Sequence, residues 1–321
     1  MKQKIALVSL LCTLQLSAQD SFVNSIGMKF VKIPAGSFMM GSDHKPCPKD
    51  DPFTYEDESN CMSRQDKNAA PRHKVNLKSF YTGTTEVTQE QWYKITGTNP
   101  SEIKGRTLPV FNFNRKETDM FVNKLNKLDK GVHYSVMTEA QWEYIVTSDP
   151  AYHIFDNPYG KGVKNKIYQM AWLKGNSNNT LHPVAQKKPD SFGIYDLIGN
   201  AHERLLDRAH HPYGGGYIGV PSDGSAWITR GRKYEMYRGG NYYDTYDHFT
   251  SMWMRYKSSG MDTIRLVYNG SSNPMKKDTN NNFTNTALHK ESRKGTHINT
   301  NAQDTNYFNS LSNDSKPVNI E

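Results

Sequence analysis

Met28-Lys29-Phe30-Val31-Lys32-Ile33-Pro34-Ala35-Gly36-Ser37-Phe38-Met39-Met40-Gly41-Ser42 reads as two short strands that turn at Pro34-Ala35-Gly36. A Pro-Ala-Gly break between two apolar runs is a strand-and-turn signal rather than a helical one. Downstream, His73-Lys74-Val75-Asn76-Leu77 alternates in strand fashion and Phe80-Tyr81 follows. The pattern then changes. Thr88 with Gln91, Asn114 with Glu117 and Thr138 with Gln141 each have capping-box spacing, in which the two side chains satisfy each other's backbone donors at a helix start. They open helices through Trp92-Tyr93-Ile95, through Phe121-Val122-Leu125-Leu128, and through Trp142-Glu143-Tyr144-Ile145. Beyond Asp149 periodicity fades, and no further amphipathic helix is expected. Gly, Asn, Pro, Tyr and Trp dominate from Tyr152 to Gly240. So long an irregular stretch must satisfy its backbone through side-chain networks or bound ions.

The 321 residues allow one large domain or two modest ones. The formal charge is +8, but Lys and Arg are scattered among Asp and Glu. No basic stripe with interleaved aromatics appears, so no nucleic-acid partner is expected. There is no internal repeat, Gly-rich phosphate loop or Ser nucleophile elbow.

The first eighteen residues read as a signal peptide. Lys2 and Lys4 supply the positive start, Ile5 to Leu16 the apolar run, and Leu16-Ser17-Ala18 the cleavage site before Gln19. Lipidation at Cys12 is the alternative, disfavoured by the bulky Leu11. Cleavage after Ala18 leaves Cys47 and Cys61 as the mature cysteines, both within the polar segment Asp43 to Gln65. In an oxidising compartment a Cys47–Cys61 disulfide is expected ahead of a metal pair. Closing so short a loop stabilises by about 3 kcal/mol on chain-entropy grounds. Residues 273–321 are rich in Asn, Thr, Ser, Lys and Asp and form a polar tail, disordered or docking. The folded part is 21–270.

Taken in order, the motifs resemble the formylglycine-generating-enzyme, or sulfatase-modifying factor, family. The opening is Met28 to Ser42. Glu86-Val87-Thr88-Gln89-Glu90-Gln91-Trp92, Thr138-Glu139-Ala140-Gln141-Trp142-Glu143-Tyr144 and Phe192-Gly193-Ile194-Tyr195-Asp196-Leu197-Ile198-Gly199-Asn200-Ala201 follow. Tyr237-Arg238-Gly239-Gly240-Asn241 and the closing Ile264-Arg265-Leu266-Val267 complete the series. The resemblance implies an α+β, C-type-lectin-like domain with much irregular structure. Departures are clear: the family's Trp-Glu-Trp is His202-Glu203-Arg204 here, and Asn241-Tyr242-Tyr243 replaces its Ser-Trp.

The resemblance also implies chemistry. Family enzymes hold copper(I) with two cysteines after the Arg-Gly-Gly motif, at places that fall near Tyr242 and Asp247. Asn241 to Arg265 contains no Cys, and no copper is expected because Tyr and Asp are not soft thiolate ligands. A structural calcium is implied, held by the carboxylates of Asp196 and Glu203 and the carbonyls of Gly199 and Ala201. The alternative is that Asp196 caps a turn and Glu203 pairs with Arg204 or Arg208. A second family calcium site, between about Asn176 and Pro183, is not assigned. His202, His210, His211 and His248, with Asp207 and Asp247, could bind a transition metal, but solvated surface histidines are the preferred reading.

Tyr242, Tyr243, Tyr246 and Trp253 sit among small polar residues, a composition typical of recognition surfaces. The alternative places half of these rings in the core. The expected function is a non-catalytic binding or structural protein of the cell envelope, exported and engaging an envelope protein or other extracellular ligand. It resembles lectin-like gliding-motility and type IX secretion components. Its alternatives are an enzyme with altered chemistry and a lectin-like ligand-binding protein.

Overall fold

The computed structural model describes residues 20–42, 69–155, 161–209, 216–228, 235–245 and 262–274, with backbone alone at 45–46 and 61–62. Cys47, Tyr246, Trp253, His210, His211, His248 and Asp247 lie outside the described residues, as do residues 1–18 and nearly all of 273–321.

In chain order the elements begin with β1 (Ser21–Val23), β2 (Lys29–Ile33), β3 (Gly36–Met40), β4 (Lys45–Pro46), β5 (Cys61–Met62), β6 (His73–Leu77) and β7 (Phe80–Gly83). Next come α1 (Gln89–Thr96), α2 (Arg115–Leu128), β8 (Tyr134–Val136), α3 (Glu139–Ser148), a 3-10 turn (Pro150–Phe155) and α4 (Val163–Met170). The last strands are β9 (His202–Arg208), β10 (Glu235–Arg238), β11 (Asp262–Ile264) and β12 (Leu266–Tyr268). The class is α+β, as expected.

Five strands form one antiparallel sheet in the order β1-β2-β7-β12-β8. Successive residues point to opposite faces of a strand, and this sheet is covered on both. Phe30, Tyr81 and Leu266 pack with Trp92 of α1 and with Phe121 and Leu125 of α2. Their neighbours Val31, Phe80 and Val267 pack with Trp142 and Ile145 of α3. The strands predicted on either side of Pro34-Ala35-Gly36 both form, but they do not pair with each other. β2 joins β1 and β7, whereas β3 pairs with β6. β9 lies at the centre of a second sheet, antiparallel to β10 and parallel to β11.

All three capping boxes are present. At α3, the Thr138 hydroxyl accepts from the Gln141 amide at 3.2 Å and donates to the Gly224 carbonyl at 3.0 Å, while the Asn114 cap of α2 is exposed. Thr138→Ala should therefore cost about 2 kcal/mol and Asn114→Ala about 1 kcal/mol, the upper and middle of the range for cap removal. Urea midpoints at constant slope would check the ranking, and equal losses would contradict it. The helix α4 is not expected from the sequence. Its N-cap is Gly162 at φ 78°, with no side-chain cap bond, so it carries no start signal.

The closing motif also divides. Ile264 ends a strand of the second sheet and Leu266 begins one in the first. Arg265 lies between them, fully buried, and its side chain enters the site described next.

Candidate functional site

Two of the sequence signatures meet through glycines. The Gly199 amide donates to the Gly239 carbonyl at 2.9 Å. Both glycines have positive φ, and a Cβ on Gly199 would fall 2.4 Å from the Trp172 carbonyl oxygen. Only glycine permits that approach without strain. Asn200, also at positive φ, fixes the neighbouring chain: its Oδ1 accepts from the His182 amide and its Nδ2 donates to Glu86 and to the His182 carbonyl.

Below this turn three buried carboxylates, Glu86, Asp196 and Glu203, gather around Arg265. Arg265 Nε and Nη2 donate to Glu203 Oε1 at 2.8 and 2.5 Å, and its remaining donors reach the Gly83 and Tyr195 carbonyls. Glu86 Oε1 accepts from the Ala201 amide. Asp196 Oδ2 accepts from the Ala185 amide at 2.7 Å. Two acid oxygens, Asp196 Oδ1 and Glu203 Oε2, are buried with no hydrogen-bond partner. An orphaned carboxylate oxygen is expensive in a protein interior. Burial accordingly pushes all three acids up. Asp196 reaches about 6, although the Ala185 amide and Arg265 pull it back. Glu86 rises well above the carboxylate range through burial and then the charge of Asp196. Glu203 rises because burial outweighs Arg265.

Thus Glu203 pairs with Arg265, not with Arg204 or Arg208 as one reading of the sequence had it. Arg204 pairs with Asp262 and Arg208 with Glu235. Asp196 does brace a turn, through Ala185. The two predicted metal carboxylates are the ones that carry the unpartnered oxygens, so the set suits a hard divalent cation. Among the described residues no group of three or more His, Cys, Asp and Glu side chains is arranged for a metal. Calcium chemistry does not require such a group, because carbonyl and water oxygens complete its shell. Glu86 and Arg265 lie within motifs of the sequence that assign them no role. The signal for both was a charged residue within a segment that must be buried.

The loop after Arg238 forms the outer part of the site. Asp244 Oδ2 accepts from the Asn241 amide at 2.8 Å, and Asn241 Oδ1 accepts from the Tyr243 amide at 2.7 Å. The Lys174 amide donates to the Asp244 carbonyl, and the Ser177 hydroxyl to that of Tyr242. This cross-bracing sends two adjacent rings in different directions. Tyr242 is 1% exposed and packs with Leu108, Phe111, Leu181 and Ala201. Tyr243 is 51% exposed. Tyr242 is therefore core, correcting its expected place on a recognition surface, while Tyr243 remains available.

The histidine reading also changes. His202 is buried rather than solvated, and its Nε2 lies 3.4 Å from Asp244 Oδ2. Burial pushes His202 down to about 4 and Asp244 up to about 6. Near pH 7 a neutral imidazole therefore faces a carboxylate. The Asp207 oxygens accept from the Glu139 and Trp227 amides. Behind the turn, Trp172 is layered between His182, stacked at 3.6 Å, and Lys187 Nζ, also 3.6 Å from the ring centre.

Comparison with known proteins agrees with this architecture. Residues 20–266 match the model of the sulfatase-modifying factor enzyme 1-like domain. The chain is 27% identical over 201 residues to the chaperone protein LppX of Paenibacillus barcinonensis, covering 48% of this chain and 71% of that one. The structure of PvdO from Pseudomonas aeruginosa superimposes with a TM-score of 0.62 at 23% identity, covering 79% of this chain and 99% of PvdO. Treponema denticola variable protein 1 gives a TM-score of 0.55 at 21% identity, over 79% of this chain and all 100% of the other.

Proposed function

The chain belongs to the sulfatase-modifying factor enzyme 1-like family, as a divergent member without the cysteine pair of the oxidase, and we propose that it is an exported binding protein of the cell envelope. In this reading the domain presents a braced loop to a protein partner instead of oxidising cysteine. One observation carries the proposal: after Arg-Gly-Gly, the loop is held by Asn241 and Asp244 and leaves Tyr243 exposed. A rigid aromatic side chain on a preformed loop gives contact area at low entropic cost. The resemblance to a relative named as a chaperone supports a partner-binding role over a small-molecule one. Export rests on the charged start, the apolar run and the Ala18 site.

Calcium is the second part of the proposal. Asp196 and Glu203, with the Gly199 and Ala201 carbonyls, would hold it. The ion would neutralise acids that Arg265 alone leaves in excess, and so stabilise the turn that positions the loop.

Two measurements test the function together. Incubation with copper and a sulfatase-type cysteine peptide should give no aldehyde by mass spectrometry. The mature protein should recover an envelope partner by crosslinking, and Tyr243→Ala should weaken that binding about thirtyfold. This corresponds to the loss of one interface anchor, about 2 kcal/mol. Aldehyde formation would overturn the non-catalytic reading. Undiminished capture by a folded Tyr243→Ala variant would remove the loop from the interface.

A further inference from the structure

Away from Tyr243, a cavity of about 330 Å³ opens between the start of α2 and the second sheet. Its wall includes Phe113, Arg115, Arg204, Glu235, Tyr237 and Asp262, with Asn112 and Asn114 alongside. Arg204 stands where the family pattern has the second tryptophan of Trp-Glu-Trp, so the cavity's central cation is a departure from that pattern.

The hydrogen bonds in this wall leave one kind of demand unmet. Arg204 Nη2 donates to the Phe113 carbonyl at 2.7 Å and to Asp262 Oδ2. Glu235 Oε1 is taken by Arg208 at 2.6 Å and Oε2 by Arg115 at 3.3 Å. Both acids of the wall therefore have partners. Arg204 is served at Nη2 alone: its Nε and Nη1 are buried without a hydrogen-bond partner, and Nε stays 3.9 Å from Glu235 Oε2. The side chain is only 7% exposed and lies over the Phe113 ring at 4.8 Å. Aromatic faces attract a guanidinium, but they cannot accept all of its directed N–H bonds. Burial works against the charge, and Asp262, Tyr237 and Glu235 outweigh it, so Arg204 remains cationic. What Arg204 lacks is an acceptor for Nε and Nη1.

We propose that this cavity binds a carboxylate-bearing small molecule or chain terminus, with Arg204 as the central donor and Arg115 at the rim. An anionic oxygen gives a buried guanidinium a stronger bond than a neutral carbonyl does. Arg115 opens the 14-residue α2, whose N-terminal dipole adds a favourable field. A doubly charged phosphate is disfavoured, because Glu235 and Asp262 share the wall. The volume lies within the usual range for small-ligand sites, about 300–1,000 Å³, and exceeds the need of one carboxylate. The cavity therefore has room for a ligand body beyond the carboxylate.

Calorimetry and ligand-observed NMR with four probes test the assignment: acetate, trialanine with a free C-terminus, trialanine amide and inorganic phosphate. Free trialanine should bind, and its amide should bind at least tenfold more weakly. Binding of acetate as well would indicate any small carboxylate; binding of the peptide alone would indicate a chain terminus. Arg204→Gln should reduce affinity at least tenfold. Should that variant fail to fold, Arg115→Gln, at a partly exposed side chain, should still weaken binding severalfold. Tyr243→Ala should leave it unchanged, which keeps this test separate from that of the loop. The proposal is overturned if neither carboxylate binds, if the amide or phosphate binds as tightly as the acid, or if the folded arginine variant binds normally.

Discussion

Arg238→Met is expected to lower the free energy of unfolding by about 3–5 kcal/mol, the usual loss when one partner is removed from a buried ion pair. Arg238 is completely buried and donates through Nε to Glu139 Oε1 at 2.9 Å and through Nη2 to Glu143 Oε2. Nη2 also reaches the Tyr217 hydroxyl at 2.7 Å, and the guanidinium sits over the Trp142 ring. Burial opposes its charge, but Tyr217, Glu139 and Glu143 overcome that and raise its pKa further. Removing the cation strands two carboxylates that are themselves at most 1% exposed. A typical domain is stable by only about 5–15 kcal/mol, so the variant should lie close to unfolding. Urea denaturation measures the loss. The triple change Arg238→Met, Glu139→Gln, Glu143→Gln should recover much of it, because no charge then remains unpaired. A loss below about 1 kcal/mol in the single variant, or no recovery in the triple, would show that the network has little energetic weight.

This network also explains why the motifs could be read separately without showing how they fit together. The Gly41 amide, from the first motif, donates to Glu143 Oε1 at 2.6 Å. Glu139 and Glu143 belong to the third motif and Arg238 to a later one, 99 and 95 positions away. Capping boxes are local, spanning four residues, and were legible because each side chain bonds its own helix start. The helix α4 was not legible, since Gly162 provides no cap. Nor was β9 legible, because His202-Glu203-Arg204 alternates nothing. All three are buried: the neutral His202 faces Asp244, and the charges of Glu203 and Arg204 are balanced by Arg265 and Asp262 from distant segments. The candidate site followed the same division. Asp196 and Glu203 could be picked out by resemblance, whereas Glu86 and Arg265 became visible only when the two sheets brought them together. Tyr242 and Tyr243 are adjacent and alike in sequence; the bonds of Asn241, Asp244 and Ser177 decide that one ring is core and the other surface.

Chelation should lower the melting temperature of the mature protein by several degrees, and Asp196→Asn should abolish that response. A ligand present at about one hundred times its dissociation constant, and bound only to the native state, contributes about 2.7 kcal/mol. For a domain of this size about 1 kcal/mol corresponds to 2–4 °C, so a fall of about 5–10 °C is expected. Glu203→Ala is the less clean probe because it also strands Arg265, which donates to Glu203 from two nitrogens. Asp196→Asn keeps an oxygen for the Ala185 amide and removes one negative charge from a cluster of three acids and one guanidinium. The sign of its effect should therefore depend on the ion. With chelator the variant should be as stable as wild type or more so, because repulsion with Glu86 and Glu203 is relieved. With calcium it should be the less stable protein, because a charged ligand is missing. A hydrogen-bonding role alone predicts the same small loss under both conditions. Equal melting temperatures of wild type with and without chelator would sink the calcium proposal, leaving the orphaned oxygens of Asp196 and Glu203 to another cation.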